Sequence, residues 1–134
     1  MQSVFARVQQ GERQVVFLSG EAGIGKTSVV HHFLAPLHVP GALFVARGQC
    51  VERYGPGEAY LPLLEALGQL CHSAQGGQLI EVLRRLAPLW LAQFPALWTE
   101  EEAAAFQRQL SSDSRERMLR QLAEAVEAFT TEAV

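Results

Sequence analysis

The sequence predicts an α/β fold in which a parallel sheet has flanking helices and the C-terminal half is rich in helix. Two short apolar runs, residues 14–19 and 42–46, are bounded by glycine or proline and are typical of strands covered on both faces. A helical pattern lies between them, and a strand–helix–strand unit of this length places its two strands in parallel. From residue 60 onward, apolar residues recur at helical spacing.

The N-terminal elements follow from apolar spacing and from residues that break helices. Residues 1–10 predict a short helix that Gly11 ends. Residues 27–37 predict a second helix, which Pro36 and Pro40 stop. Residues 47–59 contain three glycines and a proline and predict a loop.

The C-terminal half predicts four helices in succession. The first two have Gly76-Gly77 between them, and the second is expected to end between Pro88 and Pro95. Thr99 and Glu102 have the spacing of a capping box and open a third helix, expected to run through Leu110. The last helix follows a Ser-rich turn and has the clearest apolar stripe, formed by Met118, Leu119, Leu122, Val126 and Phe129.

Composition excludes several classes of protein. Eleven basic and 14 acidic side chains give a net charge of −3, which argues against a dedicated nucleic-acid binder. No apolar run approaches the ~18 residues of a membrane span. The N-terminus lacks the apolar core of a signal peptide, so we expect the cytoplasm as the compartment. Cys50 and Cys71 are too few for a disulfide framework.

One motif in the sequence carries chemistry. Residues 20–27, GEAGIGKT, fit the phosphate-binding P-loop pattern G-x-x-x-x-G-K-[ST]. Its glycines let successive N–H groups point at phosphate oxygens, and the helix that begins near Lys26 adds the positive end of its dipole. Lys26 would reach the β- and γ-phosphates, the Thr27 hydroxyl would ligate Mg²⁺, and Ser28 would contact a phosphate further back. The predicted ligand is therefore ATP or ADP with Mg²⁺, and the predicted contacts are Gly20, Glu21, Ala22, Gly23, Ile24, Gly25, Lys26, Thr27 and Ser28.

The residues that would complete hydrolysis are not evident in the sequence. Hydrolysis in this class needs a Walker-B carboxylate at the end of another strand and a group that orients water. The only aspartate, Asp113, lies in the Ser-rich turn with no strand-like run before it. The sequence thus predicts nucleotide binding with weak hydrolysis or none.

Three segments together resemble a known family: FLSGEAGIGKTSVV, ARGQCVERYGPGEAYLPLLEALGQL and RERMLRQLAEAVEAF. They are similar to AAA/STAND-type ATPases, also described as origin-recognition-complex-like AAA ATPase domains. These occur in large bacterial regulators, beside LuxR-type DNA-binding or nucleotide-cyclase domains. The resemblance implies a nucleotide-dependent switch in a signalling or transcription regulator.

The resemblance also implies how the chain divides. Residues 1–59 would form the P-loop part and residues 60–134 the helical part of a partial ATPase domain. Family members have a Gly-Arg-Glu motif before the first helix and the Walker-B strand after the last, and neither is expected within this sequence. We therefore expect a domain truncated before its Walker-B strand, which self-associates or contacts other domains of a parent regulator and binds neither nucleic acid nor membrane directly.

Two other functions stay open from the residues alone: a small P-loop phosphotransferase, and a degenerate helical interaction module that no longer binds nucleotide. The spacing of Cys50, Cys71 and His72 fits no zinc pattern, so the thiols are interpreted as buried or incidental. His31 and His32 are interpreted as solvated or core-edge side chains.

The predicted loop after the second strand carries a further set of candidates. For Arg47, Arg53 and Tyr54, a structural role is favoured over contact with phosphate or base. Glu58 has no assigned role.

Overall fold

The computed structural model describes residues 2–37, 43–50, 60–107 and 115–132. Across these ranges the chain forms α-helices and two short 3-10 turns. It divides into two compact units, residues 1–43 and residues 44–134. Within the described ranges, no helix is long and apolar enough to cross a membrane.

The predicted parallel sheet is wrong, because the described residues contain no strand. Residues 14–19 have no regular secondary structure, and no backbone hydrogen bond joins them to another part of the described chain. Their apolar side chains are exposed, Val15 by 75% and Phe17 by 92%. A strand needs both a hydrogen-bonded neighbour and burial of its faces, and this run has neither, so its apolar pattern alone does not make it a strand.

The second predicted strand is also wrong, for a different reason. Residue 42 lies outside the described residues, and residues 43–50 have no regular secondary structure. The side-chain amide of Gln69 accepts from the Arg47 N–H at 3.1 Å and donates to the Arg47 carbonyl at 2.8 Å. The Gln49 N–H donates to the Glu65 carboxylate at 2.8 Å. Side chains of a helix thus satisfy backbone groups that a neighbouring strand would otherwise pair with.

The first unit contains two helices, α1 (Gln2–Gln9) and α2 (Lys26–Leu34), and both predicted helices are confirmed. A 3-10 turn, Ala35–Leu37, ends the second helix, because Pro36 lacks the N–H that would continue the α-helical ladder. The rings of Phe5 and Phe33 meet edge to face, with centroids 6.0 Å apart. A helix of eight residues is marginal alone, so this contact helps to hold α1.

The second unit is helical, as predicted. Its helices are α3 (Leu61–Cys71), α4 (Gly76–Leu86), α5 (Pro88–Leu91), α6 (Glu100–Gln107) and α7 (Arg115–Glu132). Their core includes Leu67, Cys71, Leu79, Val82, Leu83, Ala87, Trp90, Leu91, Ala125 and Phe129. Trp90 lies at its centre, fully buried, and its indole N–H donates to the Met118 carbonyl at 2.6 Å. This bond joins α5 to α7.

Helix boundaries in the second unit differ from the prediction at two places. Gly76 and Gly77 are the first two residues of α4 and not a linker between helices. Position 76 requires glycine because a Cβ there would overlap the Cys71 carbonyl oxygen. The predicted second helix is two helices, α4 and α5, separated at Ala87 before Pro88.

The predicted capping box of α6 is confirmed. The Glu102 carboxylate accepts from the Thr99 N–H at 2.9 Å, and the Glu102 N–H donates to the Thr99 hydroxyl at 3.3 Å. Leu110 and Asp113 lie outside the described residues.

Candidate phosphate-binding site

The P-loop residues form the turn that leads into α2. Lys26 is the first residue of the helix, and Gly25 is its N-cap with no side-chain cap. Gly23 and Gly25 have φ of +80° and +94°, a backbone region that other residues rarely adopt. Nothing lies within 4 Å of where their Cβ atoms would be, so these positions require glycine for conformation and not for space.

The Lys26 side chain folds back across the loop. Its Nζ donates to the Gly20 carbonyl at 2.8 Å and to the Glu21 carbonyl at 2.6 Å. An ammonium group has three donors, so one N–H remains for a ligand. The sequence predicts that Lys26 binds a phosphate, but it does not predict the two hydrogen bonds to loop carbonyls. These bonds fix the position of the positive charge.

Four backbone donors lie next to this ammonium group. The first helical bond of α2 runs from the Val29 N–H to the Gly25 carbonyl at 3.0 Å. The N–H groups of residues 25–28 have no hydrogen-bond acceptor in the described part of the chain. Together with the positive end of the helix dipole, they are the groups to which an anion could bind at this turn.

The hydroxyls of Thr27 and Ser28 lie in the first turn of α2, and both residues are exposed. Neither hydroxyl has a hydrogen-bond partner among the residues that the structure describes. A Mg²⁺ ion held by the Thr27 hydroxyl would take its other ligands from phosphate oxygens and water, as this hard cation prefers. The arrangement therefore suits a Mg²⁺-bound polyphosphate.

A cavity of about 670 Å³ lies beside α2 in the first unit. Its lining is mostly apolar and includes Phe5, Val29, Phe33 and Pro36, with Ser28 and His32 as polar members. The sequence did not predict this cavity, although Val29, His32, Phe33 and Pro36 are spaced as one face of a helix. His31 and His32 are both exposed, as expected of solvated side chains, but only His32 lines the cavity.

The remaining candidates lie in the second unit or outside the described residues. Arg47 is tied to α3 through its backbone, whereas Arg53, Tyr54 and Glu58 are outside the described ranges. Cys71 is buried, and this burial raises the pKa of its thiol. Cys50 is exposed, and both thiols are free. No group of three or more His, Cys, Asp or Glu side chains able to hold a metal occurs in the described ranges.

The chain matches a known protein family. The family model of the AAA ATPase domain matches residues 1–133, which include the P-loop and the helices of the second unit. No curated protein and no solved structure matches the chain significantly.

Proposed function

Because the chain belongs to the AAA ATPase domain family, we propose that it binds ATP or ADP with Mg²⁺ at residues 20–28. The observation that carries this proposal is the position of the Lys26 ammonium, which is tied to two loop carbonyls beside four unpaired backbone donors. This geometry provides a positive, donor-rich turn of the kind that polyphosphates occupy.

Each part of the loop has a role in this proposal. The N–H groups of residues 25–28 donate to phosphate oxygens, and the third N–H of Lys26 bridges the β- and γ-phosphates. The Thr27 hydroxyl ligates Mg²⁺, and Ser28 lies toward the α-phosphate. Glu21, Ala22, Gly23 and Ile24 form the turn that carries the backbone around the phosphates.

We further propose that the chain itself hydrolyses ATP slowly or not at all. A metal-binding carboxylate at a strand end is part of hydrolysis in P-loop proteins. Asp113, the only aspartate, follows a Ser-Ser pair and not an apolar run. The nucleotide would then act as a switch, in which the bound and free states differ in the order of the loop and α2.

The parent of such a switch would be a signalling or transcription regulator of the AAA/STAND type. The exposed apolar run of residues 15–18 supports a role in association, because contiguous exposed apolar residues mark interaction surfaces. We propose that it contacts a second copy of the chain or another domain of the regulator. The cytoplasm is the proposed compartment, since it supplies ATP and keeps Cys50 and Cys71 reduced.

Calorimetric titration with MgATP and MgADP tests the binding proposal. Lys26→Ala is expected to weaken both ligands at least ten-fold, because charge-assisted hydrogen bonds are worth about 1.5–3 kcal/mol. The matched control, Arg115→Ala, removes an exposed cation of α7 and should leave the affinity unchanged. Equal affinity in the chain and in Lys26→Ala would contradict the proposed site, and the absence of binding by the unchanged chain would favour a helical interaction module. Phosphate transfer from ATP to a small acceptor would favour a phosphotransferase.

A further inference from the structure

The proposed P-loop contacts leave the base of the nucleotide unassigned. The polar groups of the loop are four backbone amides, one ammonium group and the hydroxyls of Thr27 and Ser28, and in the proposed function all of them face phosphates or the metal. None of these groups can distinguish adenine from another base. Selection of the base therefore requires a second surface within reach of the phosphates.

The cavity beside α2 begins at Ser28, the residue that directly follows the P-loop pattern. Ser28 is part of its lining, and His32 lies one helical turn further along, about 6 Å away on the helix axis. One turn is a distance that a ribose can span. A nucleotide held by the loop would thus place its base beside Val29 and His32.

The size and lining of the cavity suit a planar heterocycle. Its volume of about 670 Å³ lies in the usual range of small-molecule sites. Phe5 and Phe33 supply aromatic surface for stacking. The imidazole of His32 offers a hydrogen-bonding nitrogen to the polar edge of the base.

We propose that this cavity holds the base of the bound nucleotide and that Phe5 and His32 are the residues that select it. The inference rests on the proposed nucleotide-binding function. It also gives α1 a part in binding, because Phe5 is the residue through which this helix reaches the cavity. A purine fills more of the aromatic surface than a pyrimidine, so ATP should bind more tightly than CTP.

The test compares a ligand that has a base with one that does not. MgATP and magnesium tripolyphosphate are titrated into the full chain, His32→Ala and His31→Ala. The two histidines are adjacent and exposed on α2, and only His32 lines the cavity. His32→Ala should weaken MgATP about ten-fold and leave tripolyphosphate unchanged, as the loss of one hydrogen bond to the base would. His31→Ala should change neither ligand.

Other outcomes separate this inference from the function on which it rests. Equal MgATP affinity in the two histidine variants, with both ligands lost in Lys26→Ala, would overturn the base site and leave nucleotide binding intact. Equal weakening of MgATP and tripolyphosphate by His32→Ala would also overturn it. Phe5→Leu provides a second variant, expected to weaken MgATP alone. Unchanged tripolyphosphate binding in Lys26→Ala would remove the proposed function and this inference together.

Discussion

The Nζ atom of Lys26 lies 2.8 Å from the carbonyl oxygen of Gly20 and so joins the seventh residue of the P-loop pattern to the first. A second bond from the same atom, to the Glu21 carbonyl, fixes its position further. The two bonds thus hold the ammonium group in place. For the proposed phosphate ligand, its charge would not have to be reorganised on binding, and such preorganisation favours binding.

Replacing Lys26 with arginine keeps the charge and tests this geometry. A guanidinium is planar and has its donors in a rigid fork, so it cannot donate to both loop carbonyls and point a third N–H at a phosphate. We expect Lys26→Arg to weaken MgATP about ten-fold, as the loss of one charge-assisted hydrogen bond would. Titration calorimetry measures the change. An affinity equal to that of the lysine form would show that charge alone matters.

Gly25 is predicted to require glycine because of its backbone conformation. Gly25→Ala places a Cβ at φ +94° in open space, so the cost is conformational strain of about 1–2 kcal/mol. Gly77→Ala is the matched control, since it is also in open space but lies in α4 without positive φ. The control should stabilise the chain by about 0.5–1 kcal/mol. Denaturant unfolding of both variants measures the change in the free energy of unfolding. A change of the same sign in the two variants would contradict the prediction.

The helices could be predicted from the sequence because their signals are local. The Thr99–Glu102 box lies within one turn, and the α7 stripe repeats along one element. The apolar stripe correctly predicts that Phe129 is buried, but Leu119 of the same stripe is 45% exposed. Periodicity predicts which face of a helix is apolar. It does not predict which residues of that face are covered by a neighbouring helix.

The predicted sheet was wrong because a strand forms only where another strand pairs with it, and that second strand is far away in the sequence. Residues 14–19 have the composition of a strand, yet Phe17 is 92% exposed. At residues 43–50, Gln69 and Glu65 of α3 take the hydrogen bonds that strand pairing would have used. Neither the exposure of the first run nor the side-chain hydrogen bonds to the second can be predicted from neighbouring residues in the sequence.

Of the two features of the candidate site, the sequence indicates the loop but not the cavity, for a similar reason. The P-loop is a contiguous pattern of eight residues, so its position at the start of α2 could be predicted from those residues alone. The cavity requires that Phe5 of α1 come close to Phe33 of α2, and this contact joins residues 28 positions apart. Such a pairing is visible only in three dimensions.

Trp90 is predicted to be the most sensitive position of the second unit. Trp90→Phe leaves a space in a fully buried site and removes the donor to the Met118 carbonyl. We expect a loss of about 2–3 kcal/mol in the free energy of unfolding. Trp98→Phe is the control: Trp98 donates to the Leu91 carbonyl at 2.7 Å but is only half-buried, so its loss should be smaller. Urea unfolding followed by circular dichroism compares them, and a larger effect at Trp98 would contradict this ranking.

The two thiols are expected to react at different rates. Cys50 is exposed, whereas Cys71 is buried and its pKa is raised by desolvation, so Cys71 has little reactive thiolate. A colorimetric thiol reagent should give one fast and one slow phase at neutral pH. Cys50→Ser should remove the fast phase, and Cys71→Ser should remove the slow phase. In denaturant, both thiols should react at one rate. Two fast phases in the folded chain would show that α3 opens readily at its C-terminal end.

The first turn of α6 is expected to loosen in acid. The backbone N–H of Thr99, then its hydroxyl, hydrogen-bond the Glu102 carboxylate and hold its pKa below the ordinary value of 4.5, with Arg84 adding a smaller effect. Because the pKa is depressed in the folded state, the stabilisation is present above pH 4.5 and is lost as the pH falls through the folded pKa. A ¹³C-detected NMR titration of Glu102 should therefore give a midpoint below 4.5. Thr99→Val removes the hydroxyl and keeps the N–H, so the midpoint should rise part of the way, whereas Thr131→Val on α7 should leave it unchanged. A midpoint that does not respond to Thr99→Val would show that the hydroxyl does not stabilise the Glu102 carboxylate.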